Sequence, residues 1–171
     1  MKTLIKNGLV VDPANLVQTH LNLLLEDGKV VAVTEEELEA DRVIDAAGKV
    51  GAPGFIDIHM HEDPVKDDKI QFCIFDAMLR MGVTTAVGGN CGINVYDPVK
   101  YLDLLERDGA PVNVMMFAGH QYYREAAGAL DKYSPVTEEQ RKMMKKGLEE
   151  ALEEGCVGIS YGLRYVPGTG R

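Results

Sequence analysis

The sequence predicts an α/β fold in which a small β module precedes a parallel sheet whose strands alternate with helices. Residues 1–52 consist of short β-rich segments separated by turn residues. From residue 53 onward, apolar strand segments alternate with amphipathic helical segments, which is the pattern of parallel strands joined by right-handed crossovers. Polar and metal-binding residue types follow three of these strands, so we expect them to gather at one edge of the sheet.

The N-terminal module, residues 1–52, is predicted to be a small β-sandwich-like unit. Asp27-Gly28 lies between two β-rich segments and is a strong hairpin signal, while Ala47-Gly48 marks a second turn. Asp12-Pro13 ends the first segment. The predicted strands are residues 3–11, 21–26, 29–33, 42–45 and 49–52.

Residues 53–171 are predicted to hold four strands with helices between them. Asp97-Pro98 provides an N-cap with proline at the first helical position, and Thr137-x-x-Gln140 is a capping box that opens another helix. The predicted strands are residues 55–58, 83–87, 112–117 and 157–160. The predicted helices are about 67–81, 98–108, and a third from the capping box to Gly155.

Two architectures contain such alternating elements, a doubly wound sheet and a TIM barrel. In a TIM barrel the active site lies at the carboxyl ends of the strands, so the polar residues after these strands favour the barrel. Eight βα units close a barrel, and residues 53–171 supply only about half of them. We therefore expect an incomplete barrel, whose remainder is a continuation of the chain, a second fragment or a partner that completes the sheet.

Composition limits the classes of protein that fit this sequence of 171 residues. The net charge of −9 argues against a nucleic-acid partner, because no basic stripe could neutralise phosphates. Three cysteines are too few and too scattered for a disulfide framework, and they suit a reduced cytoplasm. The N-terminus lacks the apolar core of a signal peptide, and no apolar run approaches the roughly 20 residues that span a membrane.

The strongest functional signal is His59-x-His61, which directly follows the apolar strand at 55–58. Residues i and i+2 of a strand point to one face, so two imidazoles would lie side by side, as a divalent transition metal requires. The next strand ends in Gly-Gly-Asn-Cys91-Gly, where flanking glycines let the backbone pass close to an ion. His59, His61 and Cys91 are therefore predicted to converge as metal ligands from neighbouring strands.

Four motifs, in order along the chain, resemble the amidohydrolase superfamily. The first is Ala-Pro-Gly-Phe-Ile-Asp-Ile-His-Met-His at residues 52–61, after the N-terminal module. Gly-Asn-Cys-Gly at 89–92 narrows the resemblance to the D-aminoacylase, or N-acyl-D-amino-acid deacylase, branch. Gly119-His120-x-x-x-Arg124 and the segment Gly-Ile-Ser-Tyr-Gly-Leu-Arg-Tyr-Val-Pro-Gly at 158–168 resemble two later motifs of that branch.

The resemblance implies a TIM-barrel metallohydrolase with a composite, urease-like N-terminal module and one or two zinc ions. His59 and His61 would hold the more exposed metal position, and the Cys91 thiolate would contact the more tightly held zinc. Two further metal-binding histidines and a general-base aspartate would lie on later strands, beyond residue 171. The full-length protein would hydrolyse the amide bond of N-acyl-D-amino acids or related small amides, and the 171-residue chain alone would be inactive.

Two alternatives stay open from the sequence. One is a cyclic amidohydrolase or deaminase of the same superfamily, which would share the metal ligands but act on a different small molecule. The other is a non-catalytic metal-binding fragment that needs a partner half-barrel. In each case we expect no nucleic-acid or membrane partner, and an oligomer is compatible with the sequence.

Residues near the motifs have further predicted roles. His120 follows a strand and Tyr165 lies beyond the last strand, so both are candidates to contact substrate or to orient a metal ligand. Arg124 follows His120 at helical spacing and would either pair with an acidic group or cap a loop. Asp57 is predicted to have a structural hydrogen-bonding role.

Roles are also predicted for other acidic, thiol and imidazole side chains. Glu62 and Asp63 would either orient the ring N–H groups of the histidines or be exposed loop carboxylates. Cys73 and Cys156 lack the glycine-rich context of Cys91 and are predicted to be packing residues. His20 is predicted to be a surface residue.

Overall fold

The structure is a computed structural model that describes residues 1–131 and 134–162. The chain divides into two compact units, Met1–Pro53 and a second that begins at Gly54. Within the described residues, no helix is both long enough and apolar enough to cross a membrane.

The first unit is one five-stranded mixed sheet. Its order is β3-β2-β1-β4, with β5 also paired to β1, where the strands are β1 (Lys2–Asp12), β2 (Val17–Glu26), β3 (Lys29–Thr34), β4 (Arg42–Asp45) and β5 (Val50–Gly51). The first three strands are antiparallel, whereas β4 and β5 both run parallel to β1. Leu4, Val10 and Leu24 are its buried apolar side chains in β1 and β2. A single sheet accounts for all the strands of this unit, so the sandwich-like part of the prediction is not confirmed.

The hairpin predicted at Asp27-Gly28 is present, but its first strand begins earlier than expected. The Asp12 carboxylate accepts hydrogen bonds from the backbone N–H groups of Ala14 and Asn15 and so caps a single 3-10 turn. The chain reverses over that turn, and Asp12 already pairs with Val17. The strand predicted at residues 21–26 therefore extends back to Val17.

The second unit contains a parallel sheet with the strand order β11-β10-β9-β6. All three pairings in this sheet are parallel, as the alternation of strands and helices predicts. The strands are β6 (Phe55–Asp57), β7 (Val65–Lys66), β8 (Lys69–Ile70), β9 (Val83–Gly88), β10 (Asn113–Gly119) and β11 (Gly158–Ser160). The helices are α1 (Ile74–Arg80), α2 (Pro98–Asp108), α3 (His120–Ala126) and α4 (Glu138–Glu153).

Helices and strands of the second unit share one apolar core. Ala86 of β9 and Met116 of β10 are almost fully buried in the same cluster as helix residues Phe75, Tyr101 and Ala151. Burial of such side chains is the main favourable contribution to folding. The core therefore holds the strands in register, and it fixes the positions from which the loops after the strands emerge.

The first helix is shorter than predicted. The sequence indicated a helix over about 67–81, but β7 and β8 form a small antiparallel hairpin and α1 begins only at Ile74. Asp67 and Asp68 take positive φ values of 50° and 57° at the tip of this hairpin. Aspartate tolerates that region better than most residues, so the two aspartates make a turn where helical spacing alone predicts a helix.

The other helix starts agree with the sequence. The Asp97 carboxylate accepts hydrogen bonds from the N–H groups of Val99 and Lys100 at the start of α2. Thr137 and Gln140 form the reciprocal capping box of α4. The short helix α3 was not predicted, because it follows β10 with no intervening loop or side-chain cap.

Candidate metal centre

His59 and His61 lie just beyond the end of β6. The Asp57 carboxylate accepts a hydrogen bond of 2.9 Å from the backbone N–H of His59, which is the structural role predicted for it. Both imidazoles are exposed, and their ring centres lie 6.2 Å apart with the planes 74° from each other. The two rings are therefore neighbours that can both direct a nitrogen to one point outside the strand end.

Cys91 sits in a tight loop that follows β9. Three residues of this loop have left-handed φ values, 73° at Gly89, 61° at Cys91 and 77° at Gly92. A side chain at Gly89 would place its Cβ only 2.1 Å from the carbonyl oxygen of Phe117, so the backbone passes against the end of β10. Asn90 stabilises the loop from within, because its side-chain amide donates to the carbonyl oxygen of Val87 at 2.7 Å.

The two strand ends bring the three predicted ligands together. One nitrogen each from His59 and His61 and the sulfur of Cys91 all lie within 4.8 Å of one another. Cys91 Sγ is 3.4 Å from His59 Nε2. Among the His, Cys, Asp and Glu side chains of residues 1–131 and 134–162, this is the one group of three or more that lie close enough to bind a single metal ion.

The donor set fits a borderline-soft divalent ion. Two imidazole nitrogens and one thiolate are the ligands that zinc prefers, and three protein ligands leave a coordination position open. The three side chains are exposed or half-buried, so an ion could reach them from solvent. The arrangement can therefore hold a metal ion that still binds another ligand.

The two carboxylates after the histidines are buried, which contradicts the exposed-loop alternative. Asp63 is fully buried and accepts hydrogen bonds from the N–H groups at the start of α1. Glu62 is also buried, and its Oε1 accepts a hydrogen bond of 3.0 Å from Asn94 Nδ2, while its Oε2 has no hydrogen-bond partner among the described residues. Burial raises the pKa of Glu62, because it disfavours the charged form.

His120 lies at the first position of α3 and does not belong to the three-residue cluster, although its ring lies against Gly92 of the Cys91 loop. Its ring stands against Tyr161, with the ring centres 5.3 Å apart, and both line a groove bordered by apolar residues of α4 such as Leu148. His120 Nδ1 is buried and has no hydrogen-bond partner among the described residues. Desolvation, followed by the charge of Arg124, lowers the pKa of His120.

The structure also bears on the predictions made for Arg124 and His20. Arg124 caps a loop, since its guanidinium donates to the backbone carbonyls of Asp131 at 2.7 Å and Ser134 at 3.2 Å. His20 is exposed, as predicted. Tyr165 lies outside the described residues.

The two remaining cysteines differ from each other. Cys156 is a buried packing residue, as predicted, and burial raises the pKa of its thiol to about 11. Cys73 is exposed, and its thiol donates to Asp63 Oδ1 at 2.9 Å. The prediction that Cys73 packs in the core is therefore wrong. Its place before α1 brings it to the Asp63 carboxylate instead.

Asn94 connects the strand ends, although the sequence did not single it out. Its side-chain nitrogen donates to Glu62 Oε1 and to the carbonyl oxygen of Phe117, and its oxygen accepts from the backbone N–H of Gly119 at 2.7 Å. Its position three residues after Cys91 was the feature of the sequence that could have indicated a role near the metal ligands. Its partners, however, lie 23 to 32 residues away along the chain and cannot be inferred from local spacing.

Comparison with known proteins identifies the family of enzymes to which this chain is related. No family model matches the sequence. The chain is 31% identical over 187 residues to an N-acyl-D-glutamate deacylase of Alcaligenes xylosoxydans xylosoxydans, and 30% identical over 188 residues to a D-aminoacylase of the same organism. Each alignment covers 96% of this chain but 38% of the relative.

Comparison with solved structures also finds a deacylase of this kind. The N-acyl-D-glutamate deacylase of Bordetella bronchiseptica, solved with zinc and a phosphonate that mimics the tetrahedral intermediate, superposes with a TM-score of 0.82 at 30% identity. The superposition covers 97% of this chain and 39% of that protein. The chain is thus a member of the amidohydrolase superfamily. Within the superfamily it belongs with the D-aminoacylase branch, which confirms the resemblance of its motifs.

Proposed function

We propose that this protein carries out zinc-dependent hydrolysis of the amide bond of N-acyl-D-amino acids or related small amides. The observation that carries the proposal is the convergence of His59, His61 and Cys91 at two adjacent strand ends. The similarity to deacylases over almost the whole chain supports the substrate class. Because the chain spans 38% of the length of these relatives, we extend the proposal to a protein that includes the rest of a TIM barrel.

In this proposal three side chains bind the metal and a fourth orients one of them. His59, His61 and Cys91 would hold zinc, which supplies Lewis acidity toward the amide carbonyl and lowers the pKa of a bound water. Asp57 fixes the backbone of His59 and so orients the first imidazole. Neutral imidazoles and a deprotonated thiol are needed for this role, so metal binding should release protons.

We place the proton-transferring carboxylate outside residues 1–171. Amide hydrolysis needs a base for the attacking water and an acid for the leaving amine. Asp63 accepts hydrogen bonds at the start of α1, Glu62 accepts one from Asn94 at Oε1, and both side chains are buried away from solvent. The 171-residue chain alone is therefore expected to bind metal without turning over substrate.

Metal titration tests the ligand assignment. Isothermal titration of the metal-free chain with zinc should show binding that weakens at least tenfold in Cys91→Ala and in His59→Ala, because each change removes one of three ligands. His20→Ala and Cys73→Ser are matched controls, since they remove an exposed imidazole and an exposed thiol elsewhere. Unchanged zinc affinity in Cys91→Ala would exclude the site.

Activity tests the reaction. A form of the protein that contains the complete barrel should release free amine from N-acyl-D-glutamate and related N-acyl-D-amino acids, and a chelator should abolish this release. Activity that survives complete metal removal would contradict the proposal. Activity confined to a cyclic imide or to a purine would favour the cyclic amidohydrolase or deaminase alternative.

A further inference from the structure

Ser160, the last residue of β11, contacts the Cys91 loop at two points. Its hydroxyl donates a hydrogen bond to the carbonyl oxygen of Gly89 and accepts one of 2.9 Å from the backbone N–H of Gly92. A serine hydroxyl has one hydrogen to donate and lone pairs to accept, and both functions are used here. The two peptide groups lie on either side of Cys91, so one side chain from another strand spans the whole turn.

The turn needs such support because Cys91 has a left-handed backbone conformation, with φ of 61° and ψ of 17°. A residue with a Cβ is disfavoured in that region and persists there only when its surroundings hold it. Neighbouring residues also confine the loop. Gly92 passes so close to His120 that a Cβ at Gly92 would lie 2.7 Å from His120 Nδ1.

The conformation decides where the thiol points. With Cys91 left-handed, its sulfur lies 3.4 Å from His59 Nε2 and within reach of His61. Relaxation of Cys91 to an ordinary φ would redirect its Cα–Cβ bond and carry the sulfur away from the imidazoles. No residue of β11 belongs to the three-residue cluster, and the hydroxyl of Ser160 connects this strand to the Cys91 loop.

We propose that Ser160 is a positioning residue that sets the metal-binding geometry of Cys91 by bridging Gly89 and Gly92. The inference rests on the proposed metal site, and it adds a residue from a third strand end to that site. Removing the hydroxyl would leave the carbonyl of Gly89 and the N–H of Gly92 without this partner. Because unpaired backbone groups cost free energy, we expect the turn to change its conformation.

Cobalt titration of the full chain tests the inference, because a thiolate bound to Co²⁺ gives a charge-transfer absorption band that reports the sulfur–metal bond itself. Ser160→Ala should bind Co²⁺ at least tenfold more weakly than the wild type and show a much weaker band. Ser160→Thr keeps a hydroxyl and should retain the absorption band. Ser160→Val has nearly the shape of the threonine variant but no hydroxyl, and it should lose the band.

Thr137→Ala is the matched control for a purely structural effect. It removes the cap of α4 and lowers stability, but its side chain bonds to Gln140 within α4, so cobalt affinity and band should stay as in the wild type. If Ser160→Ala does not fold, the threonine and valine variants decide the outcome. Equal bands and affinities in these two variants, or a wild-type band in Ser160→Ala, would overturn the role of Ser160.

The cobalt measurements also separate this inference from the proposed site. A wild-type band that Cys91→Ala abolishes and Ser160→Ala leaves intact would refute only the positioning role. A wild-type protein that gives no thiolate band would refute both.

Discussion

His120 shows how one side chain can make stability depend on pH. The ring is half-buried, its Nδ1 has no hydrogen-bond partner among the described residues, and Arg124 lies nearby. Desolvation and, after it, the arginine charge disfavour the imidazolium form and lower the pKa of His120 below its ordinary value of 6.5. The folded state therefore binds the proton less readily than the unfolded state does.

The sign of the pH dependence follows from this shift. The contribution of His120 to stability is fully present above the unfolded pKa and is lost as the pH falls from there through the lower pKa of the folded state, because the unfolded chain binds the proton more readily. We expect the free energy of unfolding of the metal-free protein to fall between about pH 7.5 and 5.5. The decrease should be smaller in His120→Gln, as measured by urea denaturation at several pH values.

His20→Gln is the control, since it removes an exposed imidazole from the first unit. It should leave the pH dependence as in the wild type. Identical slopes for the wild type and His120→Gln would show that His120 titrates alike in the folded and unfolded states.

At the scale of elements, a carboxylate from outside the helix decides where α1 begins. Asp63 Oδ1 accepts from the N–H groups of Cys73 and Ile74, and Oδ2 accepts from the N–H of Phe75. The first N–H groups of a helix have no partner within it, so these bonds satisfy groups that would otherwise be orphaned. The backbone carbonyl of Asp63 also accepts from the Tyr101 hydroxyl at 3.0 Å, which links α1 to α2.

We predict that Asp63→Ala lowers the free energy of unfolding by about 2–4 kcal/mol, because it leaves several N–H groups in a buried setting without an acceptor. Denaturant unfolding of the metal-free chain measures this. Asp76→Ala, an exposed acidic residue within α1 itself, is the matched control and should change stability by less than about 0.5 kcal/mol. A loss for Asp63→Ala no greater than that of the control would show that Asp63 does not anchor the helix.

At the scale of the whole molecule, the parallel sheet of the second unit has short outer strands. The described sheet ends at β6 on one side and at β11 on the other, and each is three residues long. Phe55 and Ile56 of β6 are 67% and 66% exposed, and Ile58, just after the strand, is 69% exposed. An exposed apolar strand at a sheet edge is a template for pairing with another chain.

We therefore expect the 171-residue polypeptide, expressed by itself, to associate. Size-exclusion chromatography with light scattering should give a mass above the 18.7 kDa of one chain. Ile56→Lys should shift the population toward monomer, because a lysine at an edge strand opposes pairing. Leu130→Lys removes an equally exposed apolar side chain from a loop and should not. A monodisperse monomer of 18.7 kDa with a cooperative melt would contradict the prediction.

The sequence by itself determined the features whose physical causes are local. Asp97 and Thr137 cap helices through N–H groups two or three residues away, so residue type and spacing were enough to locate them. The alternation of apolar strands and helices determined the parallel sheet in the same way. The candidate ligands were also determined locally, by the His59-x-His61 spacing and by the glycines around Cys91.

The tertiary structure decided what depends on contacts between distant residues. The helix α1 begins at Ile74 and not near residue 67 as predicted. Asp63 stabilises this start through hydrogen bonds to N–H groups 10 to 12 residues away. Ser160 reaches the Cys91 loop from 68 residues away, and both β4 and β5 pair with β1. Such contacts form because packing of the whole sheet brings strand ends together, and local spacing does not encode the hydrogen bonds that link residues so far apart in the chain.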